Sequence, residues 1–214
     1  MVKTKLIFIP APWRSGTHLI QSLKNLPGVK FVFEPWDIGD SISKYYRKKL
    51  EIKDVLDTIK KYIDKDKITI IQEKRLGFFI KELIINFPEC KIIHYERNKE
   101  DWVHSFMNRD IQKEPKGKEE SLLHYPFMKD EKNAKDFFNQ PKEIWLGKAW
   151  EEFQKQSRKI KSKRIIKIKY EDIVLKPEEI SKEISNFIGI EFNKNVFGKP
   201  HRNSINRSKK NENK

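Results

Sequence analysis

Short runs of β-branched and apolar residues recur along the chain. Between them lie longer stretches in which apolar side chains return every three or four positions. The runs at Lys5–Ile9, Lys30–Phe33, Ile68–Gln72, Lys91–Tyr95 and Arg164–Lys169 read as strands. The stretches Thr17–Asn25, Ile52–Asp64, Gly77–Asn86 and Lys99–Asn108 read as helices, as does Lys142–Arg158. That last one sets Trp145, Ala149, Trp150 and Phe153 on one face, most simply a core face. A final helix opens at Leu175-Lys176-Pro177-Glu178-Glu179, where proline suits the first turn and the acids suit the helix dipole. It carries Ile180, Ile184, Phe187 and Ile188 and stops at Gly189. Strand and helix alternate, which predicts an α/β fold: a parallel sheet of about five strands flanked by helices. Sheets of this kind bind ligands at the carboxyl ends of their strands.

Residues 110–141 break the rhythm. They are polar, include Lys113-Glu114-Pro115-Lys116-Gly117-Lys118, and end in Asn139-Gln140-Pro141. A long irregular stretch inside a compact domain reads as a lid or an insert. The expected organisation is one domain over residues 1–198, with a basic C-terminal loop and frayed tail over 199–214.

Composition adjusts this picture only at its edges. With 14 Phe and 5 Trp among 214 residues there is ample bulk to bury. The balance of 46 basic against 31 acidic residues gives a net charge of +15, which invites a nucleic-acid partner. The basic runs, such as Lys159-Ile160-Lys161-Ser162-Lys163-Arg164, are however interleaved with apolar or acidic residues, and no single basic stripe stands out. Solvated helix faces are the simpler reading, so no specific nucleic acid is expected. No apolar run approaches the roughly 20 residues of a membrane helix. Met1-Val2-Lys3-Thr4-Lys5 leads directly into a strand pattern, and a soluble, cytoplasmic protein is expected. The single cysteine, Cys90, allows no intrachain disulfide, and five scattered histidines suggest no metal site.

The chemistry begins at the first strand-to-helix turn, Arg14-Ser15-Gly16-Thr17. Backbone N–H groups at a helix start are free to hold an anion, and the dipole favours negative charge. Gly16 lets the backbone come close, Ser15 and Thr17 add hydroxyl donors, and Arg14 can fork two oxygens of one terminal group. His18 follows and could touch the same anion. The G-x-x-x-x-G-K-[ST] phosphate loop is absent.

This turn resembles the 5′-phosphosulfate loop of the sulfotransferases. Lys91-Ile92-Ile93-His94-Tyr95-Glu96-Arg97 with Ser105, eight residues on, resembles their 3′-phosphate motif, and Tyr170-Glu171-Asp172-Ile173 with Pro177 resembles their late strand–helix junction. The resemblance implies a P-loop-NTPase-like three-layer sandwich and sulfuryl transfer from 3′-phosphoadenosine 5′-phosphosulfate (PAPS), with no metal. It implies that Arg14, Ser15, Gly16 and Thr17 hold the phosphosulfate and that Arg97 and Ser105 hold the 3′-phosphate; His18 is a candidate for a further contact to the phosphosulfate, or else helix surface. Tyr170 would lie near the adenine, and Arg202 in the C-terminal loop would return to the 3′-phosphate.

Arg14 stands where many relatives place a catalytic lysine; it can stabilise the leaving group but cannot give up a proton. Small-molecule sulfotransferases carry a base histidine in a K-T-H segment, and its place here falls on Arg75. Phe31-Val32-Phe33-Glu34-Pro35 instead resembles the Glu-Pro turn of carbohydrate sulfotransferases. Glu34 is then the candidate base, or else an ion-pair partner of Arg14 or Lys74. Lys74 and Arg75 are candidates for holding the sulfuryl group or an acidic acceptor. His94 reads as a core histidine and His104 as surface. The expected acceptor is a hydroxyl or amine, on a saccharide, glycolipid or similar small molecule. Two rivals are a nucleotide-phosphate kinase of related fold, and a polyanion-binding protein living on its charge.

Overall fold

The computed structural model describes residues 6–108, 125–128, 130–192, 195 and 197. Residues 110–124 and 129 of the 110–141 lid-or-insert stretch, Arg202 and the 199–214 tail lie outside the described residues.

Five strands, β1 (Leu6–Ile9), β2 (Val29–Phe33), β3 (Ile68–Gln72), β4 (Lys91–Glu96) and β5 (Ile165–Lys169), form one sheet in the order β2-β3-β1-β4-β5. Every neighbouring pair is parallel. The five runs read from the sequence are the five strands, each within a residue of its expected ends. Side chains alternate between two cores, as the pleat requires. Ile7, Ile9, Ile70, Ile93, Tyr95 and Ile168 pack on one face under the 3₁₀ helix Thr17–Asn25 and the last helix. Phe8, Ile71 and Ile92 pack on the other, under α1 (Trp36–Tyr46), α2 (Ile52–Lys60) and α3 (Ile80–Asn86).

The remaining helices are α4 (Lys99–Met107), α5 (Glu131–Phe138), α6 (Lys142–Lys159), α7 (Tyr170–Leu175) and α8 (Pro177–Ile188). A third cluster, with Trp102, Phe106, Tyr125, Trp145 and Phe153, joins α4 to α6. Trp145 is core, as its spacing suggested; Trp150 is half-buried. α8 ends at Gly189, whose φ of 77° supplies the left-handed stop.

Four elements differ from the pattern. Leu175, read as opening the last helix, instead ends a separate short helix, α7, and α8 starts at Pro177. The helix expected over Gly77–Asn86 is split: a 3₁₀ turn over Lys74–Phe78 starts on the Glu73 carboxylate, and α3 follows it. Residues 131–138, inside the stretch read as irregular, form α5, capped by Asp130 accepting from the Asn133 N–H at 2.8 Å. α1 was not legible as a helix because Gly39 and Ser41 dilute its signal, yet Ile38 and Ile42 four apart are both fully buried.

Candidate active site

β1 lies at the centre, with β3 on one side and β4 on the other, so the strand order reverses around it. The loops leaving β1 and β4 therefore flank a crevice at the carboxyl edge, where open parallel sheets bind ligands. Tyr95 N–H donates to the Pro10 carbonyl at 3.1 Å, carrying the β1–β4 ladder to the start of the loop.

The loop Pro10–Gly16 then folds under constraint from β4 and α4. Arg97 Nη1 donates to the Arg14 carbonyl at 2.7 Å, and Arg14 Nε donates to Ser105 Oγ at 3.1 Å. Trp102 on α4 donates its indole N–H to the Trp13 carbonyl at 2.5 Å. Arg14, Arg97 and Ser105, read from separate stretches, thus meet at one place. Gly16 caps the following helix at φ 75°, and a Cβ there would fall 2.2 Å from the Tyr170 ring. Glycine is required at this position less to admit a ligand than to admit a tyrosine. The Arg97 guanidinium in turn sits 4.8 Å over the Tyr170 ring, and the Tyr95 hydroxyl reaches the Gly16 carbonyl at 3.4 Å. Thr17 is half-buried in the first turn, and His18 is exposed beside it.

Two polar atoms here are buried without a hydrogen-bond partner among the described residues: Ser15 Oγ and Arg97 Nε. Such orphans are rare and costly, and both are donors beside the helix start. An anionic group of a ligand would satisfy them.

The other half of the site comes from the ends of β2 and β3. Glu34 N–H donates to the Gln72 carbonyl at 2.8 Å, so the β2–β3 ladder runs one residue past the strand. The chain then turns sharply, with Glu34 at φ 44°. Arg14, Glu34 and Lys48 are the non-glycine residues with positive φ among those described, so both candidate catalytic residues sit in strained backbone. Strain of this sort persists where surrounding structure holds it, and here the sheet ladder and the Arg97 bond do so.

Glu34 is exposed on one side, yet enough protein surrounds its carboxyl for desolvation to raise its pKa. The Lys74 charge opposes that rise, the Glu73 charge adds to it, and the Arg75 charge opposes it. The open side keeps water at the carboxylate. Lys74 is only 4% exposed, and burial pushes its pKa down to about 7 against the pull of Glu73. Its ammonium lies 2.9 Å from the centre of the Trp13 ring. Arg75 is 2% exposed and held by Glu73, whose carboxylate accepts from Arg75 Nε at 2.8 Å and from its backbone N–H. Both substrate-binding candidates are thus buried, Lys74 against the Trp13 ring and Arg75 against Glu73.

Trp13, Trp36 and Glu73 went unremarked in the sequence. Glu73 could have been found as the acid directly following a buried strand and two positions before an arginine. His94 is buried on β4, with Nε2 2.6 Å from Gln154 Oε1, and burial lowers its pKa. His104 is exposed. A cavity of about 970 Å³ between α4 and α6, lined by Val103, Met107 and Ile144 among others, contains none of these site residues. A smaller one of about 500 Å³ is reached by Arg97, Trp150, Lys169 and Glu171. Among the described residues no group of three or more His, Cys, Asp or Glu is arranged to hold a metal ion. No helix among them is long and apolar enough to cross a membrane.

The parallel sheet, with a switch point at β1 and a tight loop leading from that strand into a helix, defines the class as an α/β fold. The profile of the sulfotransferase domain family matches residues 4–214, and the chain belongs to that family. No curated protein matches it in sequence. Among solved structures it is similar to a sulfotransferase from Alicyclobacillus acidocaldarius, at 14% identity, a TM-score of 0.58, and coverage of 94% of this chain and 88% of that one. It is similar also to a sulfotransferase domain from the curacin biosynthetic pathway, at 12% identity, a TM-score of 0.59, and coverage of 94% and 81%. A sulfotransferase domain of the Synechococcus PCC 7002 olefin synthase matches at 13% identity and a TM-score of 0.53, with coverage of 94% and 78%. At such identities these likenesses bear on the fold, a five-stranded parallel sheet flanked by helices. The chain is a transferase of the sulfotransferase class.

Proposed function

We propose that the protein moves a sulfuryl group from PAPS to a hydroxyl or amine acceptor, preferentially a hydroxyl on a saccharide or glycolipid. One observation carries the donor half of this reading. Two hydrogen bonds tie Arg14 to Arg97 and Ser105, residues 83 and 91 positions away, beside two orphaned buried donors. That arrangement fits a ligand with anionic groups at two ends. Arg14, Ser15 and Thr17 take the phosphosulfate, with Gly16 shaping the turn and His18 at its rim. Arg97 and Ser105 take the 3′-phosphate, and Tyr170 lies beneath Arg97 toward the nucleoside.

In the reaction the acceptor oxygen forms a bond to sulfur as the bond from sulfur to the 5′-phosphate oxygen breaks. Glu34 accepts the acceptor's proton, and adenosine 3′,5′-bisphosphate leaves. Arg14 meets the charge that develops on the bridging oxygen, and Lys74 the charge on the sulfuryl oxygens. No proton comes from Arg14, so the leaving group departs as the stabilised anion.

The test is calorimetric titration with adenosine 3′,5′-bisphosphate at fixed salt, with ADP and ATP as controls. The bisphosphate is expected to bind well ahead of both. Arg97→Ala should weaken it roughly 10- to 100-fold, the worth of a charged hydrogen bond. Equal binding of ADP, or an Arg97→Ala affinity equal to wild type, favours the kinase or polyanion readings instead.

A further inference from the structure

The turn after β2 leaves a tryptophan in solvent. Trp36 is 54% exposed, although most tryptophans are largely buried. One exposed aromatic is ordinary in itself. Trp36 differs in what stands behind it. The Arg75 guanidinium carbon lies 5.0 Å from the indole centre. Arg75 is itself immobilised by Glu73, and Gly39 on the next turn of α1 makes room for it: a Cβ at Gly39 would fall 1.9 Å from the guanidinium carbon. Glu73, Arg75 and Gly39 together form a fixed backing for an indole that remains open to water.

A second indole, Trp13, faces the cation next to Arg75 in the chain. Lys74 and Arg75 are consecutive cations, and each faces a tryptophan, Lys74 against Trp13 and Arg75 against Trp36. Trp13 belongs to the anion loop and Trp36 to the Glu34 turn. Glu34 stands two residues before Trp36, and its N–H donates at 2.8 Å to the carbonyl of Gln72, two residues before Lys74, which brings the turn carrying Glu34 to the end of the strand that leads into both cations.

We propose that Trp36, with Trp13 on the other side of Lys74, is the acceptor-positioning surface and selects a six-membered ring. A pyranose or a phenyl ring presents an apolar face that an indole can cover, and carries its hydroxyl at the edge. Seated on Trp36, such a ring directs an edge hydroxyl toward Glu34, two residues earlier in the chain. An open-chain alcohol gains nothing from this surface. The assignment holds only for an enzyme that performs the sulfuryl transfer proposed above.

Saturation-transfer NMR on the protein saturated with adenosine 3′,5′-bisphosphate tests it, with methyl β-D-glucopyranoside, 4-nitrophenol and sorbitol as probes. At least one ring probe should bind and sorbitol should not; the stronger of the two rings identifies a saccharide or a phenol as the acceptor. Trp36→Ala should weaken that ring about tenfold, Trp36→Phe should retain it within about threefold, and neither should alter bisphosphate affinity. Ring binding unchanged in Trp36→Ala, or no ring binding by the wild type, overturns the assignment while leaving the donor site standing. Failure of the bisphosphate to bind the wild type sinks sulfuryl transfer and this assignment together.

Discussion

At the scale of single residues, Lys74 sets the most testable condition. Its pKa is pushed down from 10.5 to about 7, chiefly by burial. For a base depressed in the folded state, the unfolded chain binds the extra proton between about pH 7 and 10.5. Stability therefore rises with pH across that window, and the cost of burying the charge is borne in full below it. Lys74→Met should raise the melting temperature at pH 6 and lose that advantage by pH 10, read by thermal denaturation. Its effect on transfer is the reverse. In the proposed reaction protonated Lys74 and ionised Glu34 are the productive pair, so kcat/KM should fall on the alkaline side near pH 7 and on the acid side as Glu34 protonates above its usual range. Lys74→Arg should move the alkaline limb upward, checked by a pH–rate profile. Arg14, Arg97 and Ser105 were legible in the sequence because a loop and a strand end announce themselves locally. Trp13 and Trp36 were not, because what marks them is the cation each one faces across the fold.

At the scale of elements, the join between the 3₁₀ helix Thr17–Asn25 and α7 shapes the Pro10–Gly16 loop, through the contact of Gly16 with Tyr170. Gly16 and Gly28 both have left-handed backbone, at φ 75° and 70°, but differ in their neighbours. A Cβ at Gly28 meets nothing within 4 Å, whereas one at Gly16 runs into the Tyr170 ring. Gly28→Ala should cost about 1–2 kcal/mol, the conformational penalty alone. Gly16→Ala should cost more and also weaken bisphosphate binding, because displacing Tyr170 removes the platform under Arg97. Urea denaturation and calorimetry on the two variants separate the two effects. The central strands β1 and β3 could be read directly because they are buried along their length and near-continuously apolar, and the part-buried edge strands β2 and β5 because they are rich in β-branched and aromatic residues. α1 escaped notice because its glycine serves Arg75 and not the helix, and the Lys74–Phe78 turn did so because it is started by one carboxylate.

For the molecule as a whole, the net charge of +15 acts on everything anionic that approaches. Affinity for adenosine 3′,5′-bisphosphate should decline as salt is raised toward physiological strength, where charges are screened beyond about 8 Å. The decline should be shallower than for a polyanion, since most of the contact is made in a partly buried cleft. The bonds from Arg97 and Ser105 to Arg14 have a further consequence, in time and not in space. A ribosome that has just made Arg14 must add 83 residues before Arg97 exists. At roughly 5–20 residues per second that takes on the order of ten seconds. Throughout that interval the anion loop is nascent chain without its anchors, and it can acquire its shape only when β4 slots in beside β1.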